Sequence, residues 1–173
     1  AEVAHATHAA RCVAVGLCAA VAALRPGAAG ASVHETHVAG RALDAACRGG
    51  SEYAAYPPFV AFGAAGCMGH YAAGHRVLRP HSVVFLELGA CVCRYHAARM
   101  HTVYVGTPVP AWFETARARL LAALAAGRAA LRPGVAARDV DAAMRAHVPT
   151  LEPRSGYSIG IGFPPDWTEC DLL

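Results

Sequence analysis

Lysine, asparagine and glutamine are absent from this 173-residue sequence, so all 15 basic side chains are arginines. We attribute this bias to a GC-rich genome and not to function. The formal net charge is only +3, the arginines are scattered, and no basic stretch is interleaved with aromatic residues. A nucleic-acid partner is therefore not expected.

Long uninterrupted apolar stretches and the features of a signal peptide are also missing. Arg, His, Glu or Gly interrupts the apolar runs before they reach the length of a membrane helix. The chain starts with a helical pattern that contains His5, His8 and Arg11, which a signal peptide would not. The seven cysteines form no C-x-x-C pair. We expect reduced, mostly buried thiols, a cytoplasmic location and no membrane partner.

The chain length predicts one domain over residues 1–173 that buries a real core. Helices are predicted over 2–24, 32–47, 110–131 and 136–147, and strands over 56–62, 83–88, 91–105 and 156–163. Ser32 and Glu35 fit a capping box at the start of the second helix. A helix, a Pro-Gly stop and another helix occur twice, around Pro26-Gly27 and Pro133-Gly134. This repeat predicts two pseudo-symmetric halves, with chance similarity in an alanine-rich chain as the alternative.

The segment 83–106 carries the most information about function. Two apolar runs flank Gly89-Ala90, which we predict to be the turn of a hairpin, and one acid, Glu87, lies inside the first run. A carboxylate in an apolar strand is costly unless something pairs with it, so Glu87 is a site candidate. Regular alternation along the second run places His96 on the face of Glu87 and His101 on the other face.

This segment resembles the central hairpin of the pita-bread fold of creatinase, aminopeptidase P and methionine aminopeptidase. In the peptidases the hairpin reads roughly D-x-G and then G-Y-x-S-D-x-T-R-T. Here Glu87-Leu88-Gly89 stands at the first element and residues 95–102 at the second, so the two acids of the metal site are replaced by Glu87 and Ala98. Residues 154–161 resemble the peptidase segment G-H-G-I-G, with Tyr157 in place of a histidine ligand.

The resemblance implies an α+β pita-bread fold, with a curved antiparallel sheet backed by helices and pseudo-two-fold halves. Family members carry a further N-terminal domain and later strands with glutamates. The resemblance therefore implies that residues 1–173 are a creatinase-like catalytic domain, truncated so that its C-terminal strands are missing.

The resemblance is closest to the metal-free side of the family, which includes creatinase and ectoine-hydrolase-like enzymes. It implies metal-independent hydrolysis of an amide, amidine or cyclic C–N bond in a small, nitrogen-rich metabolite, with no metal and no cofactor. It also implies a homodimer in the full-length protein. Two alternatives stay open: a catalytically inactive pita-bread module that binds proteins, and a degenerate, metal-dependent Xaa-Pro aminopeptidase. Whether this chain alone is an enzyme stays open too.

Two residues are the expected catalytic pair. His70 lies in a glycine-rich loop before the hairpin, where the family's histidine shuttles a proton in creatinase and contacts substrate in the peptidases. Histidine can accept and donate a proton in one turnover near neutral pH; the alternative is an exposed loop histidine. Glu87 would orient His70 or bind a cationic group of the substrate, or alternatively form a structural pair.

Five residues are candidates for substrate binding. Tyr56 and Phe59 could wall a pocket or belong to a core strand, and Tyr157 could donate a hydrogen bond. His96 and His101 could contact substrate or lie on the surface of a twisted strand. No H-E-x-x-H motif occurs, and the C-x-C pair in the hairpin would need two more ligands to hold a metal, so no metal ligands are predicted.

Overall fold

A computed structural model describes residues 1–25, 32–150 and 155–168. The described residues separate into two compact units, one with residues 1–25, 32–107 and 159–168, and one with residues 108–150 and 155–158. One domain over 1–173 stays a prediction. The Pro-Gly stop predicted at 26–27 lies outside the described residues, as does position 154 of the G-H-G-I-G-like segment.

The first unit combines helices with an antiparallel sheet, as expected for an α+β fold. Its elements are α1 Glu2–Ala23, α2 Glu35–Arg48, β1 Phe59–Phe62, a 3₁₀ turn at Gly63–Cys67, β2 Ser82–Val92 and β3 Tyr95–Val105. The strand order is β1-β2-β3, and both pairings are antiparallel. The observed β1 is shorter than the strand predicted over 56–62, because Pro57 and Pro58 cannot donate to a ladder.

The two faces of the sheet have different surroundings. One face packs against α1 and α2 and supplies much of the core. Its buried members are Val60, Phe62, Val84, Leu86, Leu88, Ala90, Val92 and Ala97. Because side chains alternate along a strand, the other face carries Glu87, Gly89 and Ala98, and Gly89 lies directly opposite Ala98 in the register. We call this second face the site face.

The predicted turn at Gly89-Ala90 is wrong. β2 continues through both residues to Val92, and Cys93 and Arg94 make the turn with φ of 51° and 67°. Two-residue hairpin turns require such left-handed conformations because they match the twist of the strands. The carboxylate of Glu52 accepts a hydrogen bond of 2.8 Å from the Cys93 amide, which fixes this turn without glycine.

The predicted capping box is also wrong. α2 begins at Glu35, and its N-cap is His34 without a side-chain capping bond. The Glu35 carboxylate is fully buried and accepts hydrogen bonds from the Phe62 amide at 2.8 Å, the Tyr71 hydroxyl at 3.0 Å and the Gly74 amide at 3.0 Å. Glu35 therefore ties α2 to the end of β1 and to the loop that follows.

The segment 159–168 lies beside the start of β3. The His96 amide donates to the Gly160 carbonyl at 2.8 Å, and the Gly162 amide donates to the Arg94 carbonyl at 3.0 Å. The strand predicted over 156–163 is thus present only as isolated bridges at Ile159 and Ile161. These bonds hold the segment against the hairpin.

The expectation that no stretch is long and apolar enough to cross a membrane is wrong for α1, which passes that test by length and composition. One side of this helix is nevertheless buried against α2 and the sheet, as in a core helix. Its buried residues are Ala9, Cys12, Val13, Gly16, Leu17 and Ala20.

The second unit pairs α3 Ala111–Ala130 with α4 Ala137–Arg145. Gly127 permits their close contact, since a Cβ there would lie 2.7 Å from Met144 Sδ. Asp141 accepts hydrogen bonds from Arg145 at 2.7 Å and from Ser155 at 2.6 Å, and these lower the pKa of Asp141. Exposed apolar side chains lie along α3: Trp112, Leu120, Leu121 and Leu124.

Candidate active site

Glu87 lies near the middle of β2 on the site face, between Phe59 of β1 and Met100 of β3 in the register. The residue is only 6% exposed, and burial raises the pKa of its carboxyl group. The nearby charge of His70 lowers that pKa in part. None of the hydrogen bonds formed by the described residues ends on the carboxylate. A buried acid without donors is costly to keep in a fold, which points to a functional role.

Aromatic rings lie near Glu87: Phe59 is its register partner on β1, and His70 is close enough to affect its pKa. The ring of His70 stacks on Phe59 with centroids 5.4 Å apart, and on Tyr56 with centroids 5.6 Å apart. Trp167 meets Tyr56 edge-on at 5.0 Å. We call these four rings, Tyr56, Phe59, His70 and Trp167, the aromatic cluster. His70 is the exposed member, and its backbone is left-handed with φ of 52°.

Trp167 was not among the residues predicted from the sequence. Its indole packs on Gly89, where a Cβ would lie 2.6 Å from Cε3. A glycine inside an apolar strand is a known sign of close approach by another group, but we interpreted Gly89 as part of a turn. The following turn is fixed by Asp166, whose carboxylate accepts hydrogen bonds from the Trp167 and Thr168 amides, and these bonds lower the pKa of Asp166.

His96 lies on the site face, as predicted, but it is completely buried. Neither ring nitrogen makes a hydrogen bond in the described structure. Burial lowers its pKa, although the carbonyls of Gly160 and Arg94 are near enough to oppose that shift. The ring packs edge-on against Tyr53 at 5.7 Å. Its burial separates His96 from solvent, so a role in substrate binding stays a prediction.

The structure brings Tyr56, Phe59 and His70 together near Glu87. His96 shares the site face with Glu87 but is completely buried. His101 is the register partner of Leu86, so it belongs to the opposite face of the sheet. Tyr157 belongs to the second unit, and its role in substrate binding stays a prediction too.

Comparison with known proteins identifies a family over nearly the whole chain. The model of metallopeptidase family M24 matches residues 4–168. The chain is 36% identical over 117 residues to an uncharacterized hydrolase/peptidase, y4tM, of Sinorhizobium fredii, covering 65% of this chain and 30% of that protein. It is 32% identical over 125 residues to ectoine hydrolase of Halomonas elongata, covering 69% of this chain and 31% of that protein. The chain thus spans about 30% of the length of these curated relatives.

The solved structures confirm the predicted fold. Xaa-Pro dipeptidase from Bacillus anthracis superposes with a TM-score of 0.81 at 22% identity, covering 96% of this chain and 48% of that one. This likeness shows a pita-bread fold of which the present chain is a part. The family resemblance drawn from the hairpin is likewise confirmed.

The description of the family implies a metal centre, and the residues on the site face do not fit one. Across from Gly89, where the hairpin pattern of the peptidases has its second acid, stands Ala98, and the indole of Trp167 occupies the space above Gly89. Among the described strand residues of this face, Glu87 is the one acid, and the nearby Asp166 uses its carboxylate to bind the Trp167 and Thr168 amides. Among the described residues, no three His, Cys, Asp or Glu side chains converge as metal ligands. Dinuclear hydrolytic centres need several convergent ligands.

Proposed function

The chain belongs to metallopeptidase family M24, and from that premise we propose that it is part of a metal-independent hydrolase. The proposed reaction cleaves an amide, amidine or cyclic C–N bond in a small, nitrogen-rich metabolite. The observation that carries this proposal is the proximity of the exposed His70 to Glu87, a buried carboxylate that accepts no hydrogen bond from the described part of the chain. The relative named ectoine hydrolase supports the same class of reaction, and it makes ectoine the first substrate to assay.

His70 would move the proton in this reaction. As water attacks the carbon of the C–N bond, a new C–O bond forms and His70 accepts the proton that the water loses. The C–N bond then breaks, and His70 returns that proton to the leaving nitrogen. Histidine suits both half-reactions because it can act as base and then as acid near neutral pH. Its exposed position leaves it open to water and to solvent protons.

Glu87 would bind the substrate and orient its nitrogen-bearing group. A carboxylate that accepts no hydrogen bond from the described residues can use its acceptor sites for the N–H groups of a ligand. The low-polarity surroundings that raise its pKa also strengthen its attraction for a bound cation. The rings of Tyr56 and Phe59 stack against the imidazole of His70 and so hold it beside this carboxylate.

The test compares His70→Ala with a matched control, His37→Ala, which removes an exposed histidine on α2. The full gene product is assayed for hydrolysis of ectoine, creatine and an Xaa-Pro dipeptide. We expect hydrolysis of one of the first two compounds and loss of turnover in His70→Ala, with binding kept. Turnover that survives His70→Ala would contradict the assigned proton transfer. If the protein hydrolyses none of the three compounds and His70→Ala leaves its binding properties unchanged, the result would support a protein-binding module.

A further inference from the structure

Trp167 is the more buried of the two tryptophans, and its ring contacts Gly89 and Tyr56. It is 4% exposed, whereas Trp112 on α3 is 60% exposed. Its indole packs on Gly89, which lies two positions along β2 from Glu87 on the same face. The indole covers Gly89, whose partner across the hairpin is Ala98.

The contact with Gly89 depends on the missing side chain. A Cβ on Gly89 would lie 2.6 Å from Cε3 and 3.0 Å from Cζ3 of the indole, closer than nonbonded carbon atoms approach. The backbone of Gly89 is ordinary extended strand, so its conformation does not require glycine. The small residue at this position is therefore explained by the space that the ring occupies.

The ring also fixes its neighbours. Tyr56 is held edge-on to the indole at 5.0 Å, and Tyr56 in turn contacts Phe59 and His70. The indole is carried by the turn that Asp166 closes through two hydrogen bonds to backbone amides, of 2.7 Å and 2.9 Å. The indole of Trp167 is thus buried between Gly89 and Tyr56, on a turn with its own hydrogen bonds.

We propose that Trp167 is a specificity-determining residue of the Glu87 site: its indole, resting on Gly89, closes the side towards Ala98 and limits the site to small ligands. This inference rests on the proposed function, since it takes Glu87 as the group that binds the substrate. A larger aromatic or branched group attached to the bound nitrogen function would meet the indole. Removing the ring should admit that group.

Binding of two amidinium probes to this chain tests the proposal without any turnover. Acetamidinium is the small probe and benzamidinium the large one, and isothermal titration calorimetry gives the ratio of their dissociation constants. Wild type should favour acetamidinium. In Trp167→Ala the ratio should shift at least tenfold towards benzamidinium, and in Trp167→Phe it should shift by a smaller factor. Trp112→Ala is the matched control and should keep the wild-type ratio.

An unchanged ratio in both Trp167 variants would overturn the proposal, and so would a wild type that binds neither probe. If Trp167→Ala does not fold, Trp167→Phe decides, because the phenyl ring keeps a hydrophobic contact with Gly89 while leaving part of the space open. Hydrolysis assays separate this inference from the proposed function. Turnover of ectoine with an unchanged probe ratio defeats only the inference, and a shifted ratio without any turnover defeats only the proposed function.

Discussion

The first unit buries two glutamates, and their surroundings are opposite. Glu35 accepts three hydrogen bonds from backbone and side-chain donors on two other parts of the chain. Glu87 accepts none from the described residues and lies among aromatic rings beside an exposed histidine. Glu35 is therefore part of what holds the fold together, while Glu87 is the group that we propose binds a ligand. Burial of an acid alone therefore does not identify a site, and the donors around it have to be compared.

The largest expected effect is on catalysis. Glu87→Gln keeps the size of the side chain and removes the charge, so it should lower kcat/KM for the proposed hydrolysis by about 10²- to 10³-fold. Steady-state assays on the full gene product measure this change. Glu114→Gln, an exposed change on α3, is the control and should keep full activity. Equal activity in the two variants would remove Glu87 from the mechanism.

The next effect is on stability at the other glutamate. Glu35→Ala leaves the Phe62 and Gly74 amides and the Tyr71 hydroxyl without their acceptor, and we expect the free energy of unfolding to fall by about 3 kcal/mol. Urea denaturation followed by circular dichroism measures the loss. Glu114→Ala should change stability by less than about 0.5 kcal/mol. A loss at position 35 as small as that of the control would mean that its hydrogen bonds contribute little.

Glu87→Gln should act on stability in the opposite direction. Burial raises the pKa of Glu87, so the folded state holds this proton to a higher pH than the unfolded chain does. Stability is therefore lost as pH rises from the ordinary range of glutamate, about 4.3, through the raised pKa of the folded state. Glutamine does not ionise, so Glu87→Gln does not lose stability in this way. We expect the variant to be more stable than wild type at pH 7 by about 1 kcal/mol. Near pH 4 the two proteins should be equal, and a variant less stable than wild type at pH 7 would show that the carboxylate has a partner.

The smallest effect concerns His96, the other buried polar group on the site face. Its pKa is lowered by burial, so the unfolded chain binds the proton first as the solution is acidified. Wild type should therefore lose stability as pH falls below the ordinary histidine value of about 6.5 and through the lowered pKa of the folded state. His96→Phe should lose less stability than wild type between pH 7.5 and pH 5.5. Thermal denaturation of both proteins at the two pH values measures this difference. Parallel losses in both proteins would mean that His96 does not titrate in this range.

The sequence predicted the hairpin strands and their faces, because alternation along β2 and β3 is a local property. It therefore placed Glu87 and His96 on one face and His101 on the other. It misplaced the turn, because Gly89 lacks its side chain to admit Trp167, which is 78 positions away in the chain. The sequence also predicts a helix cap at Glu35, whereas its three donors lie outside the helix. Contacts between distant segments leave no periodic pattern. Neither the contact of Gly89 with Trp167 nor the donors to Glu35 could therefore be found from the sequence.

The absence of a metal requirement is the central claim about this molecule, and hydrolysis of ectoine after metal removal tests it most directly. The full gene product is treated with a chelator, dialysed, and assayed with and without added Mn²⁺, alongside Glu87→Gln. We expect the treated wild type to keep its rate, to gain nothing from Mn²⁺, and to lose that rate when Glu87 is changed. A wild type that loses activity in chelator and recovers it with Mn²⁺ would contradict the account.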